Sequence, residues 1–141
     1  MTPLLDIIKS RRSIREYLLR KVSKRILFRI LEAARWAPSA HNAQPWRFII
    51  IRKGDLKRKL AKAMASEWVK DLARNGISLK THKGLVKSSI ERFTKAPVLI
   101  IACVTMQDMD KYSDIRRQEY EHIMAVQSLA AAIQNLSLIH I

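Results

Sequence analysis

The stretch APSAHNAQPWRF, residues 37–48, is the part of this chain that says most about its fold. Two prolines bracket a polar segment in which Ser39, Asn42 and Gln44 carry hydroxyl or amide groups. Aromatic and β-branched residues follow at once and predict a strand over Trp46–Ile51. A rigid loop of neutral hydrogen-bonding groups directly before a strand suits a flat polar ring that is held along its edge. An ordinary connection between a helix and a strand is the alternative.

The spacing of apolar residues, together with capping residues, prolines and glycines, predicts the remaining elements. Helices are expected over residues 3–10, 23–36, 55–75, 78–94 and from 115 to beyond 133, with a second strand over 97–104. Two strands do not hold a core by themselves, and the last helix runs into an apolar end without a stop signal. We therefore expect residues 1–135 to form the N-terminal part of a single domain, residues 136–141 an atypical tail, and the chain to be truncated at its C-terminus.

Two patterns predict buried surfaces. One side of the helix over 55–75 carries large apolar residues at every fourth position, namely Leu56, Leu60, Met64, Trp68 and Leu72. The second strand is a continuous apolar run, which is typical of a strand buried on both faces. Cys103 within it is expected to be an inert core residue.

Length and composition exclude several classes of protein. A chain of 141 residues and 48% hydrophobic composition fits one folded domain rather than a disordered tail. Its apolar runs are shorter than the about 18–20 residues of a membrane helix, and its first residues lack a signal-peptide pattern. We expect a cytoplasmic protein with no membrane partner. With only 3 glycines there is no glycine-rich phosphate loop, so any phosphate must be held by cationic side chains or helix ends.

Positive charge is concentrated in one part of the chain. The net charge is +15, and residues 1–95 hold 24 Lys and Arg against 7 Asp and Glu. This imbalance indicates an anionic ligand or partner, although a solvated basic surface would look the same. Within this part Arg11, Arg12, Ser13 and Arg15 form a compact cluster. Arginine matches phosphate oxygens bidentately, so the cluster is a candidate anion clamp.

Other polar residues predict less. The four histidines (His41, His82, His122 and His140) show no metal-ligand spacing with each other or with carboxylates, so we expect no metal site. His41 is expected to be a polar loop residue rather than a base. Three aspartates lack the pattern of a calcium loop and are expected to serve as turn and cap residues: Asp108, Asp110 and Asp114. The tryptophans are expected to anchor the core or an interface between subunits.

Taken together, these motifs resemble the nitroreductase family of flavin-dependent oxidoreductases. The resemblance rests on six segments in the family's order: residues 11–15, LEAA at 31–34, APS at 37–39, NAQPW at 42–46, APVLII at 96–101 and AAIQN at 131–135. The combination of APSAHN with Trp68 and Asp71-Leu72 is most similar to the subgroup that includes the C-terminal domain of the deazaflavin-cofactor glutamate ligase.

The resemblance implies a helix-rich α+β fold in which a mostly antiparallel sheet is flanked by helices. It also implies an intertwined homodimer with two FMN sites at the subunit interface. One subunit would hold the FMN phosphate and ribityl chain with Arg11, Arg12, Ser13 and Arg15. The other would reach the same flavin with Pro38, Ser39, Ala40 and Asn42. Asp71 would lie near the substrate, and no residue is expected to act as a catalytic acid or base, because the cofactor supplies the chemistry.

The implied activity is that of an FMN-dependent enzyme passing hydride from NAD(P)H to an electron-poor small molecule, such as a nitroaromatic, a quinone or a deazaflavin-like compound. The alternative is a basic nucleic-acid-binding module without enzymatic activity. Its support is the charge of residues 1–95 and an isoelectric point near 10.6. Against it, aromatic residues make up 6% of the chain and form no stacking platform, and no recognition motif is present.

Overall fold

The computed structural model describes residues 3–139, apart from the side chain of Leu79, and confirms the predicted helix-rich α+β class. The elements follow one another as α1 (Pro3–Ser10), α2 (Lys24–Arg35), β1 (Trp46–Ile51), α3 (Gly54–Arg74), α4 (Leu79–Lys95), β2 (Leu99–Val104) and α5 (Ile115–Leu138). A single 3-10 turn, Ala40–Asn42, lies in the loop between α2 and β1. Each helix of the described part is too short or too polar to cross a bilayer. His140 lies outside the described residues.

Side-chain caps at Ser23 and Asp114 define the starts of α2 and α5, where the sequence indicated them. Ser23 Oγ accepts the backbone N–H of Ile26 at 3.3 Å at the start of α2. Asp114 Oδ1 accepts the N–H groups of Arg116 and Arg117 at the start of α5. These bonds satisfy backbone donors that the helix itself leaves unpaired. The cap role expected for Asp114 is therefore confirmed.

The two strands pair as a small antiparallel sheet. The backbone N–H of Thr105 donates to the carbonyl of Pro45 at 2.9 Å, so the end of β2 meets the start of β1. All six residues of β2, Cys103 included, are half-buried, and the prediction of a strand buried on both faces was wrong. The faces of a strand are buried by elements packed above and below the sheet, and the described residues cover both faces of β2 only in part.

The chain forms two compact units, and the first combines residues up to Ser13, Val22–Ile49 and the part from Ile101 onward. Its core is a cluster of Ala34, Ala37, Trp46 and Ala132. Ala34 and Ala132 are fully buried, because small side chains let α2 and α5 approach closely. The side-chain amide of Asn135 strengthens this contact by donating to the carbonyl of Ala33 at 3.2 Å.

The second unit, Ile14–Lys21 and Ile50–Ile100, is built on the packing of α3 against α4. The buried face of α3 consists of Lys57, Ala61, Ala65 and Leu72. The prediction that Leu56 and Met64 would face the core was wrong, since these two residues are 47% and 45% exposed. Over Lys57, Ala61 and Ala65 the buried face lies one residue from the predicted stripe, whereas Leu72 belongs to both. Alanines allow the closer helix contact there, and the Lys57 ammonium donates to the Ala96 carbonyl.

Candidate functional site

The loop between α2 and β1 has a strained backbone. His41, Asn42 and Gln44 have φ angles of 54°, 53° and 48°, in the left-handed region that non-glycine residues seldom occupy. Asn and His tolerate this region better than most residues, which explains part of the sequence. Three such residues within four positions persist only where the surroundings fix them, and strain of this kind is concentrated at functional sites.

Hydrogen bonds inside the loop fix its shape. The N–H of Gln44 donates to Ser39 Oγ at 3.0 Å, and the N–H of Asn42 donates to the Ser39 carbonyl at 3.1 Å. Ser39 therefore uses its hydroxyl oxygen to hold its own loop, while its O–H remains a donor. The side-chain amides of Asn42 and Gln44 make no hydrogen bond with any described residue. They are the polar groups that this loop offers to a ligand.

Helix α5 anchors the loop from outside. The N–H of Ala40 donates to Ser128 Oγ at 3.2 Å, and the same hydroxyl donates to the carbonyl of Met124 at 2.7 Å. His41 Nε2 lies 3.2 Å from Glu121 Oε1. Ser128 and Glu121 are both buried, so their contacts with the loop are shielded from water.

A groove of about 620 Å³ lies beside the loop. Its walls include the apolar side chains of Phe28, Leu31 and Phe48. Its polar lining consists of the amides of Asn42 and Gln44 and four charged side chains, those of Glu32, Arg35, Arg47 and Asp108. At its rim Arg47 Nη2 donates to Asp108 Oδ2 at 2.8 Å. An apolar wall with two free amides is suited to a flat aromatic ring with a polar edge.

The arginine cluster divides between the two units. Arg11, Arg12 and Ser13 belong to the first unit and Arg15 to the second. Arg11 is half-buried, and its guanidinium makes no hydrogen bond or ion pair with any described residue. Arg12 Nη1 instead donates to the carbonyls of Lys9 and Arg11 at 2.9 and 3.0 Å. One guanidinium nitrogen of Arg12 is therefore bonded at the end of α1, where the helix dipole favours a cation. The guanidinium of Arg11 is available to bind an anion.

In the second unit, Arg15 lines a cleft of about 640 Å³ that also contains Arg92 and Lys95. Asp71 lies on the exposed surface of α3, where its Oδ1 accepts a hydrogen bond from Arg74 Nη1 at 3.0 Å. A shallow pocket contains Asp71 together with Trp68 and Met64. Asp71 therefore faces solvent and is paired with Arg74.

Two residues that hold the loop, Glu121 and Ser128, were missed by sequence analysis. Both lie on the buried face of α5, with Ala125 between them and Ala132 one further turn along. The available signal was a polar residue at each of two positions on a face otherwise composed of alanine. Such a face predicts buried polar groups with specific partners.

The tryptophans differ in their surroundings. Trp46 is a core residue at 5% exposed, whereas Trp36 is 80% exposed. Trp36 Nε1 donates to Glu32 Oε1 at 3.2 Å, a bond along α2 that leaves the indole face open.

Comparison with known proteins gives a consistent result. The sequence model of the Nitroreductase family matches residues 8–139. A protein named as an NAD(P)H nitroreductase, YdgI of Bacillus subtilis, is 52% identical over 58 residues, which are 40% of this chain and 28% of that protein. A protein of Archaeoglobus fulgidus named as an NADH dehydrogenase/NAD(P)H nitroreductase is 44% identical over 63 residues, which are 45% of this chain and 36% of that protein.

Two solved structures resemble the whole described fold. A nitroreductase from Desulfovibrio desulfuricans in complex with FMN has a TM-score of 0.69 and 28% identity, covering 98% of this chain and 62% of the other. A BluB-like flavoprotein from Clostridium difficile has a TM-score of 0.73 and 28% identity, and the match covers 98% of this chain and 69% of that protein. The chain thus spans less than two thirds of the Desulfovibrio protein, and the matched segments cover about a third of the two curated relatives.

Proposed function

The chain belongs to the nitroreductase family, and we propose that it acts as an FMN-dependent oxidoreductase that passes hydride from NAD(P)H to an electron-poor acceptor. The observation that carries the proposal is the loop at residues 38–45, which is strained, fixed by α5, and equipped with two free side-chain amides beside a groove with an aromatic wall. The FMN in the similar Desulfovibrio structure supports the choice of cofactor.

The residues present fit FMN. Arg11 is half-buried with an unpaired guanidinium, which can donate two parallel N–H bonds to phosphate oxygens. Because the chain has no glycine-rich phosphate loop, side-chain cations are the groups that must hold the phosphate. We assign Arg11, Arg12 and Ser13 of the first unit to the phosphate and ribityl chain, with Arg11 as the main cation. The family resemblance assigns Arg15 the same role.

The proline-bounded loop supplies the ring contacts in this proposal. Bound FMN supplies the hydride chemistry, so the protein's task is to orient the ring and adjust its electronic properties through hydrogen bonds. Asn42 can donate and accept along a ring edge, while Pro38, Ser39 and Ala40 form a rigid backbone next to it. The bonds of this loop to Ser128 and Glu121 hold these groups before a ligand arrives, which reduces the ordering required on binding.

We further propose that two copies of the chain complete the site. One face of α5 carries Tyr120, Ile123, Val126 and Ile133, each between 43% and 51% exposed. These four residues lie on the side of α5 opposite the buried Glu121 and Ala132, interspersed with exposed polar residues such as Glu119 and Gln127. Several large apolar residues exposed on one side of a helix are typical of an interface, and a second copy of this chain is the occupant that the family resemblance favours.

The acceptor is proposed to be a nitroaromatic, a quinone or a deazaflavin-like molecule. Asp71 and the neighbouring Trp68 support this assignment, because a carboxylate and an indole on one exposed helix can orient a polar aromatic compound. Either nicotinamide is a suitable donor in this proposal.

The test is to purify the chain, add FMN, and remove the unbound flavin by dialysis. We expect flavin absorption to stay with the protein and NADPH or NADH to be consumed when a quinone is added. A colourless protein after dialysis would contradict the proposal. Nucleic acid that copurifies and is released by salt, in place of flavin, would instead favour the basic nucleic-acid-binding module.

A further inference from the structure

We infer that His41, Asp110 and Glu121 form a binding site for a divalent transition-metal ion such as Zn²⁺ or Mn²⁺. His41 Nε2 lies 3.2 Å from Glu121 Oε1 and 3.9 Å from Asp110 Oδ2. Ligand atoms of the three side chains all lie within 4.8 Å of one another. All three residues belong to the first compact unit.

These separations suit metal coordination. Two ligand atoms that each lie about 2.1 Å from a zinc ion are about 3.4 Å apart in a tetrahedral site. The distance between His41 and Glu121 already matches this value. Asp110 needs a small movement, which its side chain can make because it is 58% exposed.

The buried carboxylate supplies an independent reason for a cation. The Glu121 side chain is 3% exposed, and its Oε2 is buried without a hydrogen-bond partner among the described residues. A buried carboxylate with an unpaired oxygen is unfavourable unless a positive charge or donor compensates it. A protonated His41 would offset one negative charge, whereas Glu121 and Asp110 together present two. A divalent ion held by both oxygens of Glu121 would balance both charges and give Oε2 a partner.

The donor set indicates the class of ion. One imidazole nitrogen and two carboxylate oxygens favour Zn²⁺, Mn²⁺ or Fe²⁺ over Mg²⁺ and Ca²⁺, which prefer oxygen ligands alone. His41 and Asp110 are each about half exposed, so an ion can enter and solvent can complete its coordination. Sequence analysis led us to expect no metal site, because 80 residues separate His41 from Glu121 and metal motifs are recognised by short spacings.

The site would also fasten the loop. His41 belongs to the 3-10 turn and Glu121 to α5, so a shared ion would add a bond between these elements. This role requires no flavin, and the inference stands independently of the proposed oxidoreductase activity.

The experiment is a calorimetric titration of the full chain with Zn²⁺ after treatment with EDTA and gel filtration. We expect one saturable site per chain and an affinity at least tenfold lower in Glu121→Gln and in Asp110→Asn. The control, Glu119→Gln, removes an exposed carboxylate from the same helix and should bind Zn²⁺ like the unaltered chain. Mg²⁺ should bind at least tenfold more weakly than Zn²⁺.

Equal Zn²⁺ affinity in the unaltered chain and Asp110→Asn would overturn the inference, as would the absence of a saturable site. Asp110 is exposed, so its variant tests the site even if Glu121→Gln does not fold. A second readout is the imidazole nitrogen resonance of His41, which should shift on addition of Zn²⁺, while that of His82 should not. Equal shifts in both would show binding to exposed histidines only and would also overturn the inference.

Discussion

The hydroxyl of Ser128 accepts a hydrogen bond from the backbone N–H of Ala40 at 3.2 Å, although 88 residues separate them. This bond joins the core helix α5 to the loop that carries the proposed flavin contacts. We therefore expect Ser128→Ala to leave a partly buried N–H unpaired and to lower the free energy of unfolding by about 1–3 kcal/mol. Urea unfolding measures this change. The control Ser66→Ala alters an exposed serine on α3 and should stay within about 0.5 kcal/mol of the unaltered chain.

A buried lysine stabilises the second unit. Lys57 is 7% exposed, and its ammonium donates to the carbonyl of Ala96, which is also buried. In Lys57→Ala the carbonyl loses its donor and the helix loses the packing of the lysine stem, so we expect a loss of about 1–3 kcal/mol. Lys59→Ala removes an exposed lysine two residues away and should change urea unfolding little. Equal unfolding midpoints for the two variants would contradict this account of Lys57.

The start of α5 depends on its cap. Asp114 accepts two backbone N–H groups, so Asp114→Ala should lower the free energy of unfolding by about 0.5–2 kcal/mol. Asp114→Ser retains a capping oxygen and should recover most of that loss. If chemical unfolding gives the same midpoint for the alanine and serine variants, the cap is not the reason for the loss.

The exposed apolar face of α5 predicts the oligomeric state. Ile123 is 48% exposed at the middle of this face, so Ile123→Glu should place a charge in the proposed interface and convert a dimer to a monomer. Light scattering coupled to gel filtration measures the mass directly. Ala63→Glu adds the same charge at an exposed position of α3 and should leave the dimer intact. A monomer in the unaltered chain at micromolar concentration would contradict a two-chain site.

Local patterns of the sequence predicted the elements well, because helix and strand periodicity is a property of neighbouring residues. The strand Trp46–Ile51 and the caps at Ser23 and Asp114 all follow from short-range chemistry. The periodicity of α3 was misleading, because a helix face is selected by how closely its partner can approach and not by the size of its residues alone. Alanines and the Lys57 contact placed the first part of the buried face one residue from the large apolar stripe, and the two coincide only at Leu72.

The candidate site was predictable in part. The two amides between prolines and the arginine cluster could be recognised in the sequence, because each motif occupies only a few consecutive residues. The left-handed backbone at His41 and the contacts with Glu121 were not predictable, since they depend on a helix 80 residues away. Likewise, the resemblance gave Arg12 a role in phosphate binding, but only the structure shows that one of its nitrogens is bonded to the end of α1.

The most direct test of the central claim is the affinity of the chain for FMN, measured by quenching of flavin fluorescence, in the unaltered protein and in Arg11→Ala. The control is Arg25→Ala, which removes an exposed arginine of α2 outside the cluster. Because a charge-assisted phosphate contact contributes about 1.5–3 kcal/mol, we expect Arg11→Ala to weaken FMN binding at least tenfold and Arg25→Ala to leave it unchanged. Equal affinity in Arg11→Ala and the unaltered chain, or no quenching of FMN by either, would contradict the account.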